Sequence, residues 1–268
     1  MANTASARIA DLKPGDGYVQ SFARGLEVIR SFSAKAPSQT LTEGAGRAGL
    51  SRAGARRILL TLEALGYVRS DGKLFSLSPR ILDLGFSYLS SMPIWNLAEP
   101  VMEALVAQVH ESSSAAVLDG TDIVYVLRVP TRKIMSISLG VGSRLPAYCT
   151  SMGRMLLSAL AQDDLMALLR ASDLAARTKT TLTDAKEIAA KVAQARRQGW
   201  SLVNQELEEG LISLAAPIVD RSGQMVAALN ISGQANRTSA RVMQDTMLEP
   251  LLEAARTISR QLDGTTVA

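Results

Sequence analysis

Arg52, Arg56 and Arg57 crowd the stretch behind Ser51, and Arg69 and Lys73 follow a short way along the chain. Guanidinium groups present their donors as a planar fork that fits phosphate oxygens and the guanine edge, so a cluster of this kind points to a polyanion. A second candidate is Ala147-Tyr148-Cys149-Thr150-Ser151-Met152-Gly153. Adjacent hydroxyls ahead of an apolar run mark a loop entering a helix, where hydroxyls, free amides and the positive end of the helix dipole suit a carboxylate. An ordinary capped helix start fits the same spacing. Arg144 and Arg154 flank the segment, and each can serve as a ligand's partner, a surface residue or half of an internal ion pair.

Cys149 and His110 are the chain's only cysteine and histidine. One cysteine excludes an intrachain disulfide, one histidine leaves too few ligands for a structural zinc or His-based metal site, and no spacing joins the two as nucleophile and base. Glu206, Glu208 and Glu209 read as a solvated turn or pocket rim rather than a glycosidase pair. No dinucleotide fingerprint or P-loop is present. The expectation is no catalytic residue, no metal and no cofactor.

A length of 268 residues allows one or two domains with a buried core, and 47% hydrophobic with 20% charged residues excludes a disordered chain. No apolar run reaches the roughly 18 residues of a membrane span, and the opening residues do not resemble a secretory signal. A cytoplasmic protein without membrane contact is expected. The net charge of +4 is uneven: Val19 to Arg80 holds ten Lys/Arg against four acids, which leaves the remainder slightly acidic. One module faces a polyanion and another does something else, unless the imbalance is accidental.

The elements that must position these residues follow from periodicity. Val19, Phe22, Leu26, Ile29 and Phe32 recur at helical spacing and predict a helix that supplies a core face and ends before Ala36-Pro37. Thr42 is a candidate N-cap for a short helix through Ala48, with small Ala45 permitting close approach. Gly49-Leu50-Ser51 turns the chain into a second helix capped by Ser51. On that helix Ala55, Ile58, Leu59, Leu62 and Leu65 gather on one face, while Ala53, Arg56 and Arg57 project on the other and Arg52 sits at the N-terminus. Taken alone it reads equally as a solvated helix. Tyr67-Val68-Arg69 and Leu74-Phe75-Ser76-Leu77 are strand-like around Ser70-Asp71-Gly72-Lys73, and a basic-tipped hairpin after such a helix makes a winged helix-turn-helix. Arg69 and Lys73 then suit phosphates beside the groove. Gly44, Gly46 and Gly54 fall inside predicted helices and Leu60 on the polar side, and no sequence feature explains the glycines beyond close packing or close approach to DNA.

Ser78-Pro79 starts a further helix to about Ser91, apolar around much of its girth through Ile81, Leu82, Leu84, Phe86, Tyr88 and Leu89. It serves dimerisation or packs on its own domain, with Pro93 marking the boundary. Beyond it come a helix from Ile94 to His110, strands at Ser114–Leu118, Ile123–Leu127 and Ile134–Leu139, and a helix capped by Thr150 or Ser151 through Leu160. A helix starting at Asp163 and one from Asp184 to Gly199 follow. Strands near Trp200–Val203, Leu211–Val219 and Met225–Ser232 precede a last helix from Thr238 to about Leu262. This is an α+β domain with a largely antiparallel sheet of hairpins.

With these elements placed, the chain resembles the IclR family of bacterial transcription regulators over nearly its full length. The carrying residues are Ser21-Phe22-Ala23-Arg24-Gly25-Leu26, Leu41-Thr42-Glu43, Gly49-Leu50-Ser51, Leu62-Glu63-Ala64-Leu65-Gly66-Tyr67-Val68, Ser151-Met152-Gly153-Arg154, Gly210 to Ile218 and Asn230-Ile231-Ser232-Gly233. Val109-His110-Glu111-Ser112, Ala115 to Gly120, Arg128-Val129-Pro130-Thr131-Arg132 and Leu145 to Arg154 are similar to the subgroup that controls the protocatechuate, 4-hydroxybenzoate and β-ketoadipate pathways. The resemblance implies a winged-helix DNA-binding domain, a dimerising linker helix and a GAF-like effector domain in dimers or tetramers. It also implies an aromatic acid or ring-cleaved dicarboxylate as effector, surrounded by Tyr148 to Gly153, Ser213, Asn230 and Ser232. Ser213 stands where some relatives carry Cys and Asn230 where some carry Ser, while Gly44 replaces an aliphatic residue.

The expected organisation is a flexible segment 1–17, the winged helix-turn-helix 18–78, a linker helix 79–92 and an effector domain 93–268. The expected partners are an operator duplex bound through Ser51, Arg52, Ala53, Arg56, Arg57, Arg69 and Lys73, a small organic acid, further copies of the chain, and RNA polymerase if the protein activates. The rival readings are an assembly-only C-terminal domain without ligand, and an enzyme acting on a small acid.

Overall fold

The computed structural model describes residues 17–91, 94–131 and 139–264, and the chain divides into two compact units between Tyr88 and Leu89. The expected Pro93 boundary and the strand at Ile134–Leu139, apart from Leu139, lie outside the described residues.

The first unit begins with helix α1 (Gln20–Arg30), which buries Val28, while Phe32 packs just beyond it. Val19, Phe22 and Leu26, expected in the core face, are exposed, because the helix meets the core only at its Val28–Phe32 end. Strand β1 (Ser38–Thr40) leads into α2 (Leu41–Arg47). The cap of α2 is Thr40, not Thr42. Glu43, three residues after Thr40, accepts the Thr40 amide at 2.8 Å while Thr40 Oγ1 accepts the Glu43 amide at 3.3 Å, a reciprocal box that Thr42 has no glutamate to complete. These bonds hold the Glu43 carboxyl below its ordinary value. The stabilisation is therefore present above the unfolded-state value and fades as the pH falls through the lower folded one. Thr40→Ala is expected to cost about 1 kcal/mol, read as an earlier urea midpoint for this unit at neutral pH, and unchanged unfolding would show that the box contributes nothing.

Gly44 has a structural reason. A Cβ there would lie 3.3 Å from Nε2 of Gln39, a fully buried side chain that donates to Ser31 Oγ at 2.6 Å and accepts from Arg47 Nη1 at 2.7 Å. A Cβ on Gly54 would meet Ser51 Oγ at 3.2 Å, whereas nothing in the structure explains Gly46. Gly49, at φ +65, makes the turn into α3 (Arg52–Ala64), and the Ser51 hydroxyl caps α3 by accepting the Gly54 amide at 3.2 Å. Ala55, Leu59 and Leu62 are buried with Ile58 packed beside them. Leu65, expected with them, caps the C-terminus and is exposed. Strands β2 (Val68–Ser70) and β3 (Leu74–Leu77) form the hairpin, and β1 completes a sheet of order β1-β3-β2. Asp71 Oδ1 accepts the amides of Lys73 and Leu74 at 2.9 and 2.7 Å, and Gly72 takes φ +93. The expected linker helix opens with one 3₁₀ turn, Pro79–Ile81, and continues without interruption as α4 (Leu82–Ser90), with Leu82, Leu84, Phe86 and Tyr88 exposed.

The second unit sets six antiparallel strands in the order β6 (Arg144–Pro146), β5 (Asp122–Val129), β4 (Ser112–Asp119), β9 (Met225–Gln234), β8 (Leu211–Val219) and β7 (Ser201–Asn204). Helix α5 (Ile94–Val109) leads through His110, at φ +57, into strands β4 (Ser112–Asp119) and β5 (Asp122–Val129). Strand β6 (Arg144–Pro146), unanticipated, is followed by a 3₁₀ turn at Ala147–Cys149 and helix α6 (Ser151–Leu157), capped by Thr150 and three residues shorter than expected. Then come α7 (Gln162–Ala171), whose cap position is Ala161 with Asp163 inside the first turn, and α8 (Ala185–Gln198), capped by Asp184 and closed by Gly199 at φ +77. Strands β7 (Ser201–Asn204), β8 (Leu211–Val219) and β9 (Met225–Gln234) precede α9 (Ala240–Gly264), which begins two residues later than Thr238.

Alternation along the strands divides the unit into two cores. Ala115, Val126, Leu214, Leu229 and Ile231 face α5 and α9, whereas Ala116, Tyr125, Ala215 and Ala228 face α6, α7 and α8. A bulge interrupts the β4–β5 ladder: Ser114 pairs with Arg128 and Ala115 with Leu127, but Ala116 pairs with Tyr125, so Val126 is the extra residue.

Candidate functional site

The predicted chemistry resolves into two places, one in each unit. In the first, the buried stripe of α3 fixes its opposite side outward, and Arg52, Ala53, Arg56 and Arg57 are all exposed there. Arg69 on β2 and Lys73 in the hairpin turn are exposed as well. Three other arginines of this unit are engaged, though Arg24 has no such partner among the described residues: Arg30 pairs with Glu27 at 3.3 Å, Arg47 donates to Gln39, and Arg80 lies 5.6 Å from the centre of the Tyr67 ring. Among the described residues none of Arg52, Arg56, Arg57, Arg69 and Lys73 forms an ion pair. A capped helix with unneutralised cations on its outer side and a basic hairpin behind it can follow a groove and its flanking phosphates.

In the second unit a small cavity of about 20 Å³ lies between the start of α6, the sheet and the β7–β8 turn. That is room for about one water, far below the roughly 300–1,000 Å³ of small-molecule sites, so the walls must part to admit anything larger. Of the ten predicted effector residues, Cys149, Thr150, Ser151, Met152, Ser213, Asn230 and Ser232 line it. Ala147, Tyr148 and Gly153 do not. The Tyr148 hydroxyl donates to the Ala175 carbonyl at 2.5 Å, and Gly153 is a packing residue, since a Cβ there would sit 2.1 Å from the Ala147 carbonyl oxygen.

Most polar groups at the cavity are committed to one another. Thr150 Oγ1 donates to the Pro146 carbonyl and accepts the Gly153 amide, each at 3.1 Å, which removes that amide from the set expected to be free. Asn230 accepts the Ser114 amide at 2.9 Å and donates to Ser232 Oγ at 2.9 Å. The Ser151 hydroxyl is fully buried and has no hydrogen-bond partner. Burial pushes the Tyr125 phenol up to about 12, so at neutral pH it stays a neutral donor. It likewise pushes the Cys149 thiol up to about 11, which keeps it a thiol rather than a nucleophilic thiolate.

Tyr125, Val203, Leu207 and Leu211 line the cavity without having been anticipated. The three aliphatic residues carry no sequence signal, and the bulge puts Tyr125 on this face. The two flanking arginines are both internally paired. Arg144 meets Asp119 at 2.6 Å and Asp122 at 3.2 Å near the surface, and Arg154 is buried against Glu206. Of the two readings of Glu206, solvated turn or pocket rim, its burial excludes the first, and its neighbour Leu207 lines the cavity. Among the described residues no helix is long and apolar enough to cross a membrane.

Two family models match the chain: the IclR helix-turn-helix domain over residues 21–72, and the bacterial transcriptional regulator IclR C-terminal domain over residues 86–260. The Pca regulon regulatory protein of Pseudomonas putida is 44% identical over 248 residues, covering 92% of this chain and 85% of that protein. A crystal structure of a Rhodococcus sp. RHA1 protein superposes with a TM-score of 0.82 at 47% identity over 91% of this chain and 98% of its own. An IclR homologue from Microbacterium hydrocarbonoxydans complexed with 4-hydroxybenzoate superposes with a TM-score of 0.81 at 25% identity, covering 91% of this chain and all of its own. Helix-turn-helix unit, antiparallel effector-type unit and matched length agree, and the chain belongs to the IclR family of bacterial transcriptional regulators.

Proposed function

We propose that the protein is a cytoplasmic, effector-responsive regulator of an aromatic-acid catabolic operon, sensing a small acid without turning it over. Residues 18–78 bind the operator: Arg52, Arg56 and Arg57 enter the major groove with Ser51 and Ala53 at its edge, and Arg69 and Lys73 contact flanking phosphates. Residues 79–92 join copies into a dimer or tetramer, their exposed apolar side chains supplying the contact, and RNA polymerase is a partner if the effector activates. Residues 93–268 hold the acid. The Pseudomonas relative and the 4-hydroxybenzoate complex of the Microbacterium homologue favour an aromatic acid or its ring-cleaved product.

The observation that carries the ligand reading is the buried, unpartnered hydroxyl of Ser151 in the cavity. A buried donor left unmade costs about 1–3 kcal/mol, and a carboxylate set against Ser151 as the walls move apart, beside the neutral Tyr125 phenol, offsets that cost. At about a hundred times Kd, a ligand for the native state adds about 2.7 kcal/mol, equivalent to roughly 5–10 °C in a unit of this size. One of 4-hydroxybenzoate, protocatechuate and β-ketoadipate is therefore expected to raise the melting temperature selectively, and Ser151→Ala to remove most of the rise. No shift with any of the three overturns the acid-sensor reading. Coupling between the units further requires that the binding acid change operator affinity, oligomeric state or promoter output.

A further inference from the structure

The Arg154–Glu206 pair stands apart from the other ion pairs among the described residues. Its side chains are 2% and 10% exposed, where every other pair keeps at least a third of each side chain in water. Both Glu206 oxygens accept from Arg154, Oε1 from Nη1 at 2.6 Å and Oε2 from Nη2 at 2.5 Å. Burying two charges costs several kcal/mol each, and a well-packed apolar pair of similar volume is often as stable. Stability alone is a weak reason for the pair. A bidentate fork does supply a fixed separation between the two backbones that carry it.

Neither residue lines the cavity, and both face a separate open groove with Lys191 and Trp200, but each belongs to a segment that supplies cavity-lining neighbours. Arg154 lies on α6, whose first residues Ser151 and Met152 form one wall, and its Nε donates to the Tyr148 carbonyl at 3.0 Å, tying the preceding turn as well. Glu206 lies in the β7–β8 turn, which contributes Leu207 to the other wall, with Leu211 following at the start of β8. That turn is held from behind. Thr178 and Thr181 donate to the Gln205 and Glu206 carbonyls at 2.6 Å each, and the Leu182 amide donates to Glu206 Oε2 at 3.2 Å. Gln205 takes φ +59, a left-handed conformation that a non-glycine residue holds only where its surroundings impose it.

We infer that Arg154 and Glu206 are positioning residues that keep the cavity closed down to its small volume, by tying the α6 wall to the Leu207–Leu211 wall. Neither touches the ligand. This rests on the cavity being a ligand site, though not on which acid fills it. The pair sets the gap between the walls, and with it how often the cavity opens and how bulky a ligand it admits.

Cys149, fully buried on the cavity wall and the chain's only cysteine, reports opening directly. The test is the rate of N-ethylmaleimide labelling of the full-length protein, in wild type, in Arg154→Met/Glu206→Leu, and in Glu206→Gln, which keeps the side chain's shape while weakening the fork. The expected result is labelling at least tenfold faster in the double variant and a few-fold faster in Glu206→Gln, with melting temperatures within a few degrees of wild type. Labelling at the wild-type rate in a folded variant overturns the inference. If the double variant does not fold, Glu206→Gln decides by the same criterion. Addition of 4-hydroxybenzoate separates this from the ligand reading. Faster labelling in the variants with no protection by the acid in any protein leaves the positioning role standing and removes the acid, whereas acid protection of wild type with equal rates in all three proteins does the reverse.

Discussion

Arg56→Ala/Arg57→Ala is expected to abolish tight operator binding while the first unit remains folded. Both side chains are exposed on α3, neither is in an ion pair, and alanine has the highest helix propensity, so the helix loses nothing internal. An arginine that reaches a base edge contributes about 1–3 kcal/mol. Two together place the loss at about 3 kcal/mol or more, roughly a hundredfold in Kd. Fluorescence anisotropy on duplex selected by the wild-type protein measures it. Titration at several salt concentrations then assigns the arginines: removing a cation from a phosphate flattens the slope of log K against log salt by about 0.9, whereas removing a donor from a base edge lowers affinity at every salt concentration and relaxes sequence choice. Unchanged affinity takes both arginines out of the interface.

The largest effect on stability is expected from Gly153→Ala. Its Cβ would lie 2.1 Å from the Ala147 carbonyl oxygen, 2.4 Å from Ala147 Cα and 2.5 Å from Thr150 Oγ1. Two of these atoms are backbone and the third caps α6, so no rotamer change relieves the clash. Either α6 moves away from the 3₁₀ turn or the cap breaks, and both disturb the wall that carries Ser151. Overpacking normally costs 1–3 kcal/mol, and backbone approaches this short put the variant beyond that, at about 4 kcal/mol. In a unit of this size that lowers the melting temperature by roughly 8–16 °C. A Gly153→Ala melt coincident with wild type would mean that α6 has freedom its packing denies.

The elements legible in the sequence are those whose signals are local. Asp71-Gly72 makes its hairpin, Ser51 caps α3, Asp184 and Gly199 bound α8, and the outward arginines follow from the apolar stripe on the same helix. Where two local signals compete, the partner further along decides: Thr40 rather than Thr42 caps α2 because Glu43 is in reach of the former. The helices α1 and α4 show the limit of periodicity. An apolar stripe such as Val19, Phe22 and Leu26 specifies a face but not what covers it, and here part of the stripe is exposed. Seven of the ten effector positions reach the cavity because the hydroxyls and amides that suit a ligand lie at the start of one helix and on adjacent strands. Glu206 and Tyr125 depend on distant events. The first is drawn inward by an arginine on α6, the second by an irregularity in strand pairing, and neither leaves a mark within a few residues of itself.

That irregularity separates what the cavity contains from which residues the chain encodes. Tyr125 and Arg128 are three apart, a spacing that puts two side chains on opposite faces of a regular strand, and they share a face only because Val126 is accommodated as an extra residue opposite Ala115. Moving the bulge from Ala115 to Val117, with every residue kept as it is, would pair Ala116 with Val126 and exchange a phenol for an aliphatic chain on the cavity wall. The chemistry of that wall is thus set by the position of an irregularity in the ladder as much as by the residue types along it.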